Sequence, residues 1–578
     1  MRVAVAQLSP VVGDFVGNLR QIREAYDQAI LQEADLLLTP ELGVCGYPPH
    51  DLIERPEMIS RCESALLELA QLTAGKSCAL VVGAVARSDR SVGREAQNVA
   101  VVLHGGREVF RQAKSLLPTY DIFDEARYFE PAPQLTAWEH PKGCRVAIGI
   151  CEDFWAEDGV HEGRGRSLYS RNPVEDARKA GAQLLLSLSA SPYEWQKQGR
   201  RERIHREIAR SLQVPLVYVN QVGANDEALF DGASFYCDAR GEFLARLPVF
   251  QEGFACETIS IKNANEGASY SQARASDEGQ TQAAGRAESD ELETLRLGLV
   301  RGIRDYWSRT GFRSAVLGLS GGIDSAVIAV LAAEALGPER VLGVAMPSSY
   351  SSPSSLKDAE ELARGLAIRF QVQPIKFHFS TFARELGTAV GGSLAPLAQE
   401  NLQSRLRGLI LMSLSNHYGA LVLTTGNKSE IATGYCTLYG DMCGALAPLG
   451  DVLKTRVYAL ARHLNASWQA RGKSAPIPES SIVKAPSAEL RPGQTDQDSL
   501  PPYNELDELL ARYLEDGESV GTLVRDLDSR VKAGWVRDIL TLVERQEFKR
   551  RQAAPVLKTT KRAFGMGRRM PIAKRWSI

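Results

Sequence analysis

A layered α/β chain in two domains is the fold class the sequence predicts, and three observations predict it. Short β-rich runs alternate with helical stretches up to residue 262. The same alternation resumes from residue 289. Between them, residues 263–288 nearly lose large apolar side chains in favour of Ala, Ser, Gly, Gln and Glu. A chain of 578 residues with 44% hydrophobic content has material for more than one core, since a domain takes roughly 100–200 residues. The expected division is a first domain over 1–262, a polar linker over 263–288 and a second domain over 289–578.

In the first half, "RVAVAQL", "ADLLLTP", "ALVVGAVA", "NVAVVLHG", "RVAIGIC", "AQLLLSLS" and "VPLVYVN" read as strands, separated by helical stretches such as residues 18–34. In the second half, "ELETLRLGLVRGIRDYWSRT" reads as an amphipathic helix and "SAVLGLS" as a strand. A glycine loop, a helix and the strand "RVLGVAMP" follow. That order is a βαβ unit with its loop at the carboxyl end of the first strand.

Composition excludes several roles. A net charge of −2 with both signs interspersed gives no electrostatic reason for a nucleic-acid or membrane-surface partner. The nine cysteines, at 45, 62, 78, 144, 151, 237, 256, 436 and 443, form no C-x-x-C pair. They are neither a disulfide framework nor a zinc site. The apolar run in "MRVAVAQLSPVVGD" is too short for a signal peptide, and no segment approaches the ~18 apolar residues of a membrane span. A cytoplasmic location is expected.

The loop in "LGLSGGIDSAVIAVLAAEA" reads as a phosphate cradle. Gly318, Leu319, Ser320, Gly321, Gly322, Ile323, Asp324 and Ser325 join strand to helix, where small residues let backbone N–H groups approach an anion and the helix dipole adds its positive end. A bare glycine-rich turn would share the glycines; strand, loop and helix in the right order favour the cradle. It is not a kinase-type loop, because G-x-x-x-x-G-K-[ST] is absent and the two decoys, "AQLTAGKS" and "SWQARGKS", lack the first glycine at Ala70 and Ser467. A strand, SGGxDS and a helix resemble the pyrophosphatase-type ATP-binding enzymes, which hold the β and γ phosphates as leaving pyrophosphate while AMP is transferred.

The rest of the second half narrows that resemblance. "GVAMPSSYSSPSSLKDAEELA", "QENLQSRLRG", "LTTGNKSEIATGYCTLYGDMCG", "KAPSAELRPGQTDQDSLPPYNELD" and "FKRRQAAPVLKTTKRAFGMGRRMPI" closely resemble the glutamine-dependent NAD synthetase family. The resemblance runs colinearly along essentially the whole chain, with the linker unmatched. It implies that Asp324 and Glu430 hold Mg2+, a pairing that suits hard carboxylate oxygens, and that Thr425 lies near ATP. It assigns Asn401, Glu430 and the run Tyr435, Cys436, Thr437 and Leu438 to deamido-NAD. Lys484 and Lys549 would bring cations to its phosphates or those of ATP. The stretch 549–578 carries many Lys and Arg and no Asp or Glu. Without interleaved aromatics it suits a polyanionic small ligand better than nucleic acid.

In the first half, Cys151 in "GICEDFW" lies just past an expected strand end, where a thiol can face a pocket. An isolated buried cysteine is more often packing, as expected for Cys45, Cys62, Cys78, Cys144, Cys237 and Cys256. Two further segments, "LLLTPELGVCGYP" and "AKSLLPTYDIFDEARYFEP", resemble the glutamate and lysine motifs of the nitrilase family. That resemblance implies a Glu41, Lys114 and Cys151 triad on a nitrilase-like α-β-β-α sandwich, followed by an ATP-pyrophosphatase domain on a parallel sheet. It also implies glutamine binding by Tyr120, Ser191 and Lys197. Where the family often carries Asn, this chain has Ser187, which puts a pocket-wall contact in doubt. A papain-like pairing of Cys151 with His161 is the weaker reading, because the glutamate and lysine motifs occur in order.

The implied activity joins the halves. Cys151 hydrolyses L-glutamine through a γ-glutamyl thioester, with Glu41 as proton acceptor and Lys114 facing the oxyanion. The second domain adenylates deamido-NAD with ATP, and ammonia displaces AMP to give NAD. A protected path for ammonia and a homo-oligomer built on a dimer of synthetase domains are implied as well. Two other readings stay open. One is another amidotransferase with the same cradle, of the GMP, asparagine or argininosuccinate synthetase type, against which "TTGNKSEIATGYCTLYGDMCG" stands. The other is a catalytically silent binding module, against which the intact Glu41, Lys114, Cys151, Asp324 and Glu430 stand.

Overall fold

The computed structural model describes residues 1–156, 168–261, 284–575 and 578. His161 and most of the stretch expected as a linker lie outside the described residues. The chain divides into two compact units, Met1–Ala287 and Glu288–Ile578. The helix Ala284–Thr310 begins inside the expected linker.

In the first unit the strands are β1 (Arg2–Gln7), β2 (Leu36–Leu38), β3 (Ala79–Arg87), β4 (Ala96–His104), β5 (Arg107–Ala113), β6 (Ala137–His140), β7 (Cys144–Ile150), β8 (Leu184–Ser189), β9 (Leu216–Asn220), β10 (Val222–Asn225), β11 (Ala228–Asp231), β12 (Phe235–Cys237), β13 (Phe243–Arg246) and β14 (Gly253–Thr258). They build two six-stranded sheets, ordered β14-β1-β2-β3-β4-β5 and β13-β12-β9-β8-β7-β6, and a β10-β11 hairpin. Both sheets are mixed: β1, β2 and β3 run parallel, as do β7, β8 and β9, with antiparallel strands outside them.

Period-two alternation explains how near-continuous apolar runs become a four-layer sandwich. Val3, Val5, Leu36, Leu38, Val81 and Val102 meet Val146, Ile148, Leu186 and Val219 in the core between the sheets. Their neighbours Ala4, Ala6, Leu37, Leu80 and Val82 face outward onto Ile22 and Tyr26 of the helix Phe15–Leu31 and Leu66 and Leu69 of the helix Pro56–Leu72. On the other side Ala147, Leu185 and Tyr218 cover Val174, Ile204 and Ile208. The expected α-β-β-α sandwich is present.

The second unit carries four parallel strands, β15 (Ser314–Gly318), β16 (Val341–Ala345), β17 (Arg369–Val372) and β18 (Ala420–Val422), in the order β17-β16-β15-β18. The strand order reverses beside β15, which is the topological switch point where an open α/β sheet leaves a crevice at its carboxyl edge. The glycine loop leads there into the buried helix Ile323–Leu336. A helical layer around Leu506, Leu510, Leu540 and Trp535 forms a separate apolar cluster. No helix among the described residues is long and apolar enough to cross a membrane.

Candidate active sites

The first site lies at the carboxyl ends of β2, β5, β7 and β8. Glu41 follows β2 in a turn that crosses β3 at Gly83. A Cβ there would stand 2.4 Å from the Leu42 nitrogen, so only glycine admits the turn. Lys114 follows β5 directly, its N–H bonded to the Asn98 carbonyl on β4. Cys151 opens a short 3-10 turn immediately after β7.

Glu41 and Lys114 are each 1% exposed. The Lys114 ammonium donates to Glu41 Oε1 and to Glu125 Oε1, both at 2.8 Å. Glu41 is fixed further by Asn98 Nδ2 on Oε1 at 2.7 Å and by the Ala190 N–H on Oε2 at 2.8 Å. Burial of two carboxylates on one ammonium has a cost. Burial and the neighbouring Glu41 charge push Glu125 up to about 7 against the pull of Lys114. Although burial works against it, Lys114 is held firmly charged by Glu125 and Glu41. Burial also pushes the Cys151 thiol up, Glu41 adds to the rise and Lys114 opposes it. A thiolate at this position is therefore disfavoured unless its proton has somewhere to go.

Sequence reasoning missed Glu125. It lies in the same "DIFDEARYFEP" run as the lysine motif, and the sequence carries no sign that it turns back onto Lys114. The structure adds a Tyr47 O–H donating to Glu125 Oε1 at 2.8 Å, while Glu125 Oε2 is buried without a hydrogen-bond partner. Of the residues expected to bind glutamine, Tyr120 and Ser191 lie on loops and Lys197 opens the helix Lys197–Leu212. Tyr120 donates to Glu152, the residue after Cys151, at 2.9 Å, and Tyr169 donates to the same carboxylate at 2.8 Å. Ser191 follows Ala190, its N–H held by Asn220 Oδ1 at 2.8 Å. The Lys197 ammonium donates to the Pro192 carbonyl at 3.1 Å and lies 5.6 Å from the Trp155 ring centre. Ser187 points to the helical side of β8, its Oγ 3.4 Å from His205 Nε2 beneath the helix Lys197–Leu212.

The second site is a cavity of about 570 Å³ at the β15 switch point. Gly318, Leu319, Ser320, Gly322, Ile323, Asp324, Ser325 and Thr425 line it, together with Asn401, Glu430, Tyr435, Cys436, Thr437, Lys484 and Lys549. Gly321 and Leu438 are off that lining. Gly321 instead shapes the loop: its φ is +78° and a Cβ would meet the Ser355 carbonyl oxygen at 2.3 Å. The Ser325 hydroxyl donates to the Gly322 carbonyl at 2.9 Å, which closes the turn on itself.

Asp324 and Glu430 converge on one cation, Lys454, whose ammonium donates to Asp324 Oδ2 at 2.5 Å and Glu430 Oε1 at 3.2 Å. Asn427 Nδ2 holds the other Asp324 oxygen at 2.9 Å and caps the helix that carries Glu430. Burial, opposed by Lys454 and reinforced by Asp324 and Asp496, pushes Glu430 up to about 8. Sequence reasoning missed Lys454 and Asp496; "DVLKTRV" carries no motif by itself, and Lys454 is recognisable only once the helix Lys454–Ala470 brings it to the carboxylates.

The two lysines expected at phosphates are engaged with protein groups. Lys549 donates to the carbonyls of Gly434 and Cys436 at 2.7 and 2.8 Å, which fixes the "GYC" loop. Lys484 bonds to Ser352 Oγ at 3.2 Å, to Ser355 Oγ and to Glu489 Oε1 at 3.2 Å. Asn401 accepts from Thr437 Oγ1 at 2.8 Å, joining two of the residues assigned to the dinucleotide. Arg407, also on the lining, was not anticipated; burial lowers its pKa to about 10.

The fold and these sites define a class, a carbon-nitrogen hydrolase unit followed by an NAD synthase unit. The carbon-nitrogen hydrolase family model matches residues 2–266, and the NAD synthase model matches residues 297–553. Full-length relatives narrow this further. The chain is 43% identical to a glutamine-dependent NAD(+) synthetase of a Synechocystis species, over 99% of this chain and 98% of the relative. It is 38% identical to that of Acinetobacter baylyi, over 100% and 98%. Among solved structures, the glutamine-dependent NAD+ synthetase of Acinetobacter baumannii in complex with ADP has a TM-score of 0.73 and 36% identity, covering 100% of this chain and 99% of that one. The chain belongs to the glutamine-dependent NAD(+) synthetase family.

Proposed function

We propose that residues 1–262 are a glutamine amidohydrolase, residues 263–288 a linker and residues 289–578 an NAD synthetase. Together they make NAD, AMP, pyrophosphate and glutamate from deamido-NAD, ATP and L-glutamine. The observation that carries this is the coexistence, in one chain, of the buried Glu41–Lys114 pair beside Cys151 and of the cradle cavity with Asp324 and Glu430.

In the first unit Cys151 attacks the amide carbon of glutamine while Glu41 takes the thiol proton. Lys114 stays charged throughout because Glu125 and Glu41 both hold it, so it can face the oxyanion without giving up a proton. Glu41 returns the thiol proton to the departing nitrogen, so ammonia leaves; water, giving a proton to Glu41, then releases glutamate from the thioester and the thiol is restored. Tyr120, Ser191 and Lys197 are proposed to hold the glutamine.

In the second unit the cradle residues Gly318 to Ser325 and Thr425 seat ATP. Asn401, Glu430, Tyr435 to Leu438, Lys484 and Lys549 surround deamido-NAD, the last positioning the loop that touches it. Two hard carboxylates on a charged cavity wall fit Mg2+, which ordinarily takes one or two protein carboxylates and completes its octahedron with phosphate and water. Asp324 and Glu430 would hold it. Bound there, it would neutralise the β and γ phosphates as pyrophosphate departs. The Lys454 ammonium, already between the two carboxylates, faces the same anionic charge.

The test is NAD formation from ATP and deamido-NAD with glutamine or ammonium as nitrogen source. Both are expected to work, and failure with both would remove the reading. A homo-oligomer formed through the synthetase units is also proposed. Phe377 and Val390 of the helix Lys376–Ala389 and its end, and Leu397 and Leu409 of the helix Pro396–Tyr418, are 60–75% exposed, an apolar concentration that soluble monomers rarely leave uncovered. Phe377→Glu combined with Leu409→Glu is expected to lower the mass seen by sedimentation; an unchanged mass would place the interface elsewhere.

A further inference from the structure

Cys151 has a φ of +45°, a left-handed conformation that a non-glycine residue keeps only where its surroundings enforce it. The strained turn also has to stay in register with a separate loop, the one after β5 that delivers Lys114. One buried side chain touches both. Asp153 is 0% exposed. Its Oδ2 accepts the Ile150 N–H at 3.0 Å, which closes the turn around Cys151. Its Oδ1 accepts the N–H groups of Ser115 at 3.0 Å and Leu116 at 2.9 Å, the two residues that follow Lys114.

We propose that Asp153 is a positioning residue for glutamine hydrolysis, a clamp whose two oxygens fix the nucleophile turn and the lysine loop against each other. The proposal rests on the reading of the first unit as a Cys151 glutaminase. Only a carboxylate meets the geometry, because three N–H donors converge on two oxygens and every contact requires an acceptor. An asparagine would turn one of those oxygens into a donor facing an N–H, and an alanine would leave three buried amides unpaired. Burial raises Asp153 to about 6 while the three amides and Lys114 pull it back. A buried charge of this kind is a weak device for stability alone. It does not touch the substrate. Its effect runs through the distance between the thiol and the cation that opposes the rise of its pKa, since the other groups acting on Cys151, namely Glu41, Glu152 and Glu125, all raise it.

The test is Asp153→Asn in the full chain. The expected result is a fall in kcat for glutamine hydrolysis of about 10²-fold, the scale of a 1 Å misplacement of reacting groups, with the KM for glutamine within about threefold. The pH profile for alkylation of Cys151 by iodoacetamide should move to higher pH, because the thiol loses register with Lys114. A merely structural Asp153 would lower Tm but leave both the kcat of the folded fraction and the alkylation profile as in the parent, and that result would overturn the proposal. Should the asparagine variant fail to fold, Asp153→Glu keeps two acceptor oxygens and shifts them by one methylene. It is expected to lose at least about tenfold in kcat by the same misplacement argument, and parental kcat with the parental alkylation profile would overturn the clamp. Cys151→Ala measured in parallel separates the two levels. If it still hydrolyses glutamine, the glutaminase reading fails; if it is inactive while Asp153→Asn hydrolyses at the parental rate, only the clamp fails.

Discussion

Replacing Cys151 with alanine will abolish NAD formation from glutamine and leave formation from ammonium within about twofold of the parent, while glutamine-driven turnover falls by at least about 10³-fold, the scale seen when a covalent nucleophile is removed. The Cys151 thiol is the group proposed to carry the γ-glutamyl thioester. Cys144, the nearest cysteine in sequence, lies at the start of β7 and packs in the core between the sheets. Burial pushes its thiol up to about 11. The synthetase cavity is built within a separate compact unit with its own apolar clusters, so the substitution leaves its residues in place. The measurement is NAD production with glutamine and with ammonium chloride, beside circular dichroism. Loss of the ammonium-driven reaction in a folded variant would show the two-site assignment to be wrong. Retained glutamine use would move the nucleophile to another cysteine.

What the sequence made legible follows from how local each signal is. Runs such as "RVAVAQL" and "AQLLLSLS" form buried strands because alternate residues face a core on each side, so the whole run is apolar and visible. The loop "SGGIDS" was legible because strand, glycines and helix are consecutive. The mixed direction of the two large sheets was not, since pairing of β14 with β1 joins residues more than 240 apart. Asp153 and Lys454 were hidden for the same reason, since each reaches to another part of the chain, to the loop after β5 or to carboxylates 24 and 130 residues away. Glu125 was hidden although it lies only 11 residues from Lys114, because nothing in the run shows that it folds back onto the ammonium. Lys549 was read from its charge as a cation for the dinucleotide, but its two carbonyl partners make it a support for the "GYC" loop, which charge alone could not indicate.

Asp324→Ala and Glu430→Ala will each abolish NAD formation from both nitrogen sources, the opposite pattern to Cys151→Ala. The two carboxylates lie on different elements, one on the first turn of the helix after the cradle and one on the helix Lys428–Thr433. Both bond to the Lys454 ammonium, and Asn427 joins them on the other side. Removal of either leaves Lys454 with one partner and takes away a proposed magnesium ligand at the point where pyrophosphate charge develops. Loss of one such electrostatic contact costs about 10²–10³-fold in rate. Asp324→Asn and Glu430→Gln preserve packing and remove only the charge, so they are expected to reproduce most of that loss; parental activity in the isosteric variants would show that shape, not charge, is what the site requires. Exchange of labelled pyrophosphate into ATP in the presence of deamido-NAD locates the defect, because it reports adenylation before any ammonia is needed. The exchange should vanish with the synthesis. If Glu430→Gln kept exchange at the parental rate while NAD formation was lost, Glu430 would belong to the displacement of AMP by ammonia, and the proposed metal pair would have to be replaced by Asp324 with another ligand.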